Sequence, residues 1–447
     1  MHNPVLYFLS FLIFFSGCGS LTKQPRRHLP AERVTASISD SALLDIVQKQ
    51  TFRYFWDFAH PASGLSRERS NESFHYGSEV VTTGGTGFGI MGVIVAAERN
   101  WISRDEASTF LLKMVTFLEK SDSYHGVYPH WLNGESGKTI PFSKFDDGAD
   151  LVETSYLFQG LLSARQYFSG TNETETELRN KINRMWNKIE WSWFTQKGQS
   201  VLYWHWSPNS NWKMNMPVRG FNECLIVYVL AASAEHYPVS DSVYHFGWTK
   251  SNYFKNGKSF YGIELPLGFD FGGPLFFSHY SFLGLDPHGL KDRYADYWKQ
   301  NQNHTLINRE HAIQNPNKFK GYSADSWGLT ASDVKDGYAA NSPAEDNGTI
   351  TPSAALSAFP YTPEFSMKAL KHFYYTKGSE IWSEYGFVDS FNETEDWVAD
   401  SYLAIDQGPI IVMIENYRSG LLWKLFMSCP EVQNGLRKLD FESPYLK

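Results

Sequence analysis

From Asp40 onward the chain alternates between two kinds of helical segment, and this alternation limits the fold more than any other feature. One kind is amphipathic and charged. Residues 41–58, 104–120, 175–191 and 290–304 repeat apolar side chains at three- and four-residue spacing, as helices with one wetted face do. The other kind starts with glycine or small residues and is apolar on most sides: residues 83–101, 147–168, 219–237, 272–285, 351–375 and 404–423. A helix apolar all round is buried. Half-wetted and buried helices in alternation describe two concentric rings. Six inner segments, spaced roughly 50–70 residues apart, predict an all-α (α/α)6 barrel, a toroid whose long loops form a cleft at one end. Pro360 and Pro363 interrupt the fifth inner segment, which is expected to be broken or to start later.

Long loops fall at 121–146, 194–218 and 316–350, and loops of that length in a compact domain are usually functional. Within them, residues 198–206, "GQSVLYWHW", read as a short strand or hairpin arm. No linker interrupts the chain after residue 40, so residues 40–447 are read as one catalytic domain. Before it, residues 5–16 form an apolar run too short to span a bilayer comfortably, ending in small residues and Cys18. Residues 1–17 therefore resemble a bacterial lipoprotein signal, with Cys18 lipidated and 18–39 a polar tether. The n-region lacks Lys and Arg, and an ordinary secretory signal with an incidental cysteine is the competing reading. Cys224 sits in an apolar helical pattern and reads as an inert buried thiol.

Composition narrows the partners. The formal net charge is −8 and no basic stripe is present, which argues against nucleic acid. The chain carries 15 Trp and 25 Tyr, more than a soluble core requires, and flat aromatic faces are what sugar rings stack on. No zinc, Walker or GxSxG pattern occurs, and no cofactor or metal is expected. "GGTGFG" at 84–89 matches a dinucleotide fingerprint only loosely and reads as close helix packing.

Residues 144–157, "KFDDGADLVETSYL", gather Asp146, Asp147, Asp150 and Glu153 at the mouth of an inner segment. If all of it were helical, Asp146, Asp150 and Glu153 would share one face and Asp147 would be the cap. Attraction to the positive end of a helix dipole, about 0.3–1 kcal/mol per acid, accounts for one or two of them. It does not account for Glu153, which is surrounded by apolar residues. Glycoside hydrolysis needs a protonated carboxyl beside an ionised one, and crowding drives neighbouring carboxyl pKa values apart. Glu223 stands comparably at the start of the next inner segment, four residues after Arg219, with which it could equally form a simple i,i+4 pair. Asp400 and Asp406 open the last inner segment, as caps or as part of the same mouth. Trp131, Trp204, Trp206, Trp327 and Trp397 fall in loops that would rim it. Arg67, Arg69, His130 and His205 could hydrogen-bond sugar hydroxyls.

Taken together, "TTGGTGFGIMGVIVAAERNWISRDEA", "DDGADLVETSYLFQGLLSARQYF", "RGFNECLIVYVLAASAEHYP", "GGPLFFSHYSFLGLDP" and "AIDQGPIIVMIENYRSGLLW" resemble the bacterial glucoamylase-like glycoside hydrolase family that includes endo-β-1,2-glucanases. The likeness spans roughly residues 40–440. It implies an inverting hydrolase with a cleft for linear β-1,2-glucan. Separately, the chain is expected to be a monomer, attached to a membrane only through its lipid. It also implies that Asp146, Asp150, Glu153 and Glu223 are the important acids, with Glu223 or Glu153 as general acid and Asp150 or Asp146 in a positioning or base role. An α-glucan hydrolase, a polysaccharide lyase relying on "SHYS" (278–281), and a non-catalytic glycan-binding lipoprotein are the competing functions.

Overall fold

The computed structural model describes residues 31–71 and 77–446. The apolar run, Cys18 and most of the tether lie outside them. The outer helices are α1 (Asp40–Trp56), α3 (Arg104–Leu118), α5 (Glu173–Trp186), α7 (Asp241–Val243, continued by a π-helical turn to Trp248), α8 (Tyr297–Gln314) and α10 (Pro363–Lys371). They alternate with inner helices α2 (Thr83–Glu98), α4 (Leu151–Tyr167), α6 (Leu225–Ser233), α9 (Pro352–Leu356) and α12 (Ala404–Ser419). A short α11 (Gly378–Ile381) leads toward α12, and α13 (Leu421–Met427) and α14 (Pro430–Lys438) close the chain, α14 packing on α6. One hydrophobic cluster runs from Leu43 to Phe441. No described helix is long and apolar enough to cross a membrane.

The two rings differ as the sequence demands. In α2 every residue from Thr83 to Ala97 is buried, and α6 is buried throughout. In α3 only one stripe is, and a capping box between Ser103 and Glu106 fixes its start. The glycines of the inner helices serve close approach: a Cβ on Gly87 would overlap the Tyr156 carbonyl, and one on Gly160 the Gly87 carbonyl.

Three expectations are corrected. The fourth inner position, 272–285, is filled by buried 3-10 turns, because Gly272 and Gly273 take positive φ and Pro274 follows. The segment 290–304 becomes helical only at Tyr297. Before it, Asp292 accepts from the N–H groups of Tyr294 and Ala295, a local turn that competes with helix. Of 198–206 only His205–Trp206 is a strand, and its partner is Ala149–Asp150, which sets Asp150 directly opposite His205. The hairpins Lys255–Phe260/Ile263–Leu267 and Ala331–Val334/Gly337–Ala340 were not expected. The fifth inner segment is broken as its prolines require, α9 ending at Leu356 and α10 starting at Pro363.

Candidate active site

The first turns of α2 and α4 meet, the Gly84 N–H of one donating to Glu153 of the other, and the strands Val80–Thr82 and Ala149–Asp150 lead into these two helices. The helix α4 starts at Leu151, later than the acid cluster suggests. Asp146 therefore stands in the preceding loop, Asp150 is the N-cap, and Glu153 lies in the first turn. Asp147 caps nothing and instead accepts from Asn209. Asp150 Oδ1 accepts from the N–H groups of Val152 (3.0 Å) and Glu153 (2.9 Å). Its Oδ2 faces His130 Nδ1 at 3.0 Å and His205 Nε2 at 3.4 Å. The same two rings reach Asp146 Oδ2, His130 at 3.4 Å and His205 at 3.2 Å. Two carboxylates and two imidazoles thus form a compact, buried set.

This arrangement separates the acids into two classes. Burial opposes charge on Asp146 and Asp150, but the two imidazoles outweigh it and hold both carboxyls below the usual range. Reciprocally, burial would lower the two histidines, yet the carboxylates raise His205 to about 9 and His130 well above its usual value. Glu153 has no such partner. Burial first, and the Asp150 charge as well, push it up to about 7, against the opposing pull of His130 and of the Gly84 N–H, which donates to Oε2 at 2.8 Å. Burial likewise raises Glu223 to about 7.

Glu223 lies just before α6, in a turn rather than in the helix, so no i,i+4 geometry ties it to Arg219; Arg219 is exposed. Its backbone is pinned instead. The Glu223 carbonyl accepts from the hydroxyls of Ser281 and Tyr156, and Asn222 Oδ1 accepts from the Cys224 N–H. Glu223 Oε2, Asp146 Oδ1 and His205 Nδ1 are buried with no protein partner among the described residues. Such groups need hydrogen-bonding company, which hydroxyl-rich ligands supply.

The remaining predicted residues divide. Trp131 is buried and meets His130 edge-on, and Trp204 stacks on His205 at 5.7 Å and 14°. Trp206, half-buried, packs on His125. Trp397 is half-buried on a short strand paired with Phe391–Asn392. Trp327 is fully buried and belongs to the core, not the rim. Arg67 donates to the carbonyls of Ser78 and Phe58, and Arg69 pairs with Glu68 and Asp333. Asp400 is exposed and accepts from Asn71, so it opens no helix; Asp406 sits in the first turn of α12. Sequence reasoning missed Phe142, 44% exposed, whose ring stacks on His130 at 4.1 Å. It also missed Gly84, and it gave His130 and His205 to sugar hydroxyls when their first partners are Asp146 and Asp150. The Asp–His alternation across two loops leaves no local motif to read.

His130, Asp146 and Asp150 are close enough together to offer ligands to a cation. Their hydrogen-bond geometry is already accounted for by imidazole–carboxylate pairing. "SHYS" does not form a lyase centre. His279 is buried, its ring stacked with Tyr361, and burial lowers its pKa to about 3.

Comparison with known proteins agrees with this geometry. The family described as "Putative glucoamylase" matches residues 215–430. A solved endo-β-1,2-glucanase from Chitinophaga pinensis, in complex with sophorotriose and glucose, is 56% identical, with a TM-score of 0.89 over 92% of this chain and 100% of that one. An exo-β-1,2-glucooligosaccharide sophorohydrolase from Parabacteroides distasonis is 45% identical over 427 residues, which are 91% of this chain. The chain spans 59% of that curated relative's length. An endo-β-1,2-glucanase from Talaromyces funiculosus, 11% identical with a TM-score of 0.61, shares the fold alone. The chain belongs to the glucoamylase-like family, whose toroidal fold it has.

Proposed function

We propose that this protein hydrolyses linear β-1,2-glucan with inversion at the anomeric carbon, Glu223 acting as general acid. The observation that carries the reading is a set of buried carboxyls of two kinds: Asp146 and Asp150, paired with two histidines that hold them below the usual range, and Glu153 and Glu223, which have no cation paired to them among the described residues and which burial raises to about 7. A general acid works best with a pKa near the operating pH. Glu223 supports that role through its unpartnered, buried Oε2, from which a proton can pass to the leaving glycosidic oxygen. Glu153, anchored by Gly84, donates its proton as a hydrogen bond to a substrate hydroxyl. Asp150 has both oxygens occupied by helix N–H groups and histidines, which suits a positioning role and not a base. Together with Asp146 it keeps two imidazolium donors beside the bound sugar.

The β-1,2 linkage is supported by the two relatives above, both named for activity on such glucans. The test is product analysis on a panel of α- and β-linked glucans, with release of glucose or sophoro-oligosaccharides from the β-1,2 polymer alone as the expected result. Uronate polymers should yield no unsaturated product. The chain acts as a monomer, exported and tethered through a lipid on Cys18. Cys18→Ser should move it from the membrane to the soluble fraction, and a mature wild-type chain beginning beyond residue 18 would contradict the anchor.

A further inference from the structure

The fourth inner position of the ring holds 3-10 turns where a helix would stand, so its buried backbone takes partners from neighbouring elements. Gln159 of α4 donates its side-chain amide to the carbonyls of Tyr280 (3.0 Å) and Ser281 (3.4 Å). The indole N–H of Trp423 in α13 donates to the Phe282 carbonyl at 2.7 Å, and Asn416 of α12 to the Leu283 carbonyl at 2.9 Å. Four consecutive carbonyls are thus held from three helices, by side chains that are all buried. A turn tied down in this way presents the Ser281 hydroxyl at a fixed place.

The helix α6 needs such a group. Its N-cap residue, Cys224, makes no capping hydrogen bond, and α6 is buried throughout, so water does not satisfy its first N–H groups. Ser281, fully buried, supplies the cap from outside. Its Oγ accepts from the Ile226 N–H at 3.0 Å, which is the bond an N-cap side chain would make. The same hydroxyl donates its hydrogen to the Glu223 carbonyl, and the Tyr156 hydroxyl donates to that carbonyl at 3.3 Å.

These bonds converge on one peptide group. Its C=O belongs to Glu223 and accepts from Ser281 and Tyr156; its N–H belongs to Cys224 and donates to Asn222 Oδ1 at 3.0 Å. Three side chains therefore fix the plane from which the Glu223 side chain departs. That matters because Glu223 Oε2 has no protein partner among the described residues, so the place of the carboxyl depends on the main chain that carries it. Tyr156 and Gln159 both stand on α4, one and two turns after Glu153, so the same helix sets Glu153 and holds the backbone of Glu223.

Resting on the hydrolase reading above, we propose that Ser281 and Tyr156 are positioning residues for the general acid: their hydroxyls hold the Glu223–Cys224 peptide so that the Glu223 carboxyl meets the leaving glycosidic oxygen in the geometry proton transfer needs. The last residue of "SHYS" thus serves hydrolysis through Glu223.

The test compares two substrates that differ in their need for an acid. One is linear β-1,2-glucan, whose leaving alkoxide must be protonated. The other is the 2,4-dinitrophenyl β-glycoside of sophorotriose, whose leaving phenolate needs no proton. Wild type, Ser281→Ala, Tyr156→Phe and Glu223→Gln are assayed on both, with melting curves to correct for folded fraction. On the glucan, kcat should fall about 10–100-fold in Ser281→Ala, as for a misplaced catalytic group, and several-fold in Tyr156→Phe, with KM little changed. On the aryl glycoside the losses of all three variants should shrink to about threefold or less, because an acid contributes little there. Equal losses on the two substrates, or lowered melting with full kcat on the glucan per folded molecule, make the hydroxyls merely structural and overturn the proposal. Should Ser281→Ala not fold, Tyr156→Phe decides on the same outcomes. If Glu223→Gln keeps full glucan turnover, or loses both substrates alike, the acid assignment fails and this inference with it. A wild type inactive on β-1,2-glucan overturns the hydrolase reading itself.

Discussion

The N–H of Gly84, in the first turn of α2, donates to Glu153 Oε2 across the gap to α4 at 2.8 Å. Residue 84 has no Cβ, and one placed there would occupy the position of that carboxyl. Gly84→Ala should therefore displace Glu153 without disturbing any ion pair. We expect kcat to fall at least about tenfold, as for a misplaced catalytic-site group, with the melting temperature lowered only slightly. Steady-state kinetics beside thermal melts check this, and unchanged kcat would mean Glu153 has no part in turnover.

His205 is the more enclosed of the two imidazoles that hold Asp146 and Asp150. His205→Leu leaves two buried carboxylates sharing one cation. Breaking a buried pair in this way costs about 3–5 kcal/mol, which chemical denaturation will read directly. A loss below about 1 kcal/mol, the range of surface pairs, would show that the set is not fully ionised.

The same groups fix a pH dependence of stability. His205, raised from 6.5 to about 9, contributes stability that is complete below its unfolded value and lost as pH rises through about 9. Asp146 and Asp150, lowered from 3.8, contribute stability present above that value and lost as pH falls through their folded values. Glu153 and Glu223, raised to about 7, favour the folded state most below 4.5 and progressively less up to about 7. The melting temperature should accordingly decline from pH 6.5 to 9, and less steeply in His205→Leu. Parallel wild-type and variant curves would contradict the assignment.

The aromatic residues separate into core and rim. Trp327→Ala should cost about 3–5 kcal/mol of stability, as for a large side chain removed from a packed interior, and leave KM unchanged. Trp204→Ala and Phe142→Ala should raise KM several-fold with small effects on melting, because their rings border the histidine pair. Isothermal denaturation and Michaelis curves on β-1,2-glucan distinguish the two outcomes.

The ring alternation was legible because burial writes itself into side-chain chemistry. Residues 83–98 are apolar all round and 104–118 are not, and that difference places one helix inside and the other outside. The acids were legible for the same reason, since Glu153 has no business in an apolar segment unless something needs it there. What the chain concealed depends on backbone geometry and on partners distant in sequence. The start of α4 was misplaced because Asp146 and Asp147 imitate helix-start residues, whereas the pairing of Ala149–Asp150 with His205–Trp206 holds that stretch extended. The tie between Asp150 and His205 crosses a long loop that no spacing rule spans. Trp327 sits in a loop and looked like a rim residue, yet that loop folds inward.

Proton NMR of the first products from linear β-1,2-glucan, for wild type and Glu223→Gln side by side, tests the central claim most directly. The account predicts that wild type releases new reducing ends as the α-anomer before mutarotation, and that Glu223→Gln, folded to the same extent, is slower by on the order of 10²–10⁴, the usual contribution of a general acid. Initial release of the β-anomer, or wild-type turnover by Glu223→Gln, would contradict it.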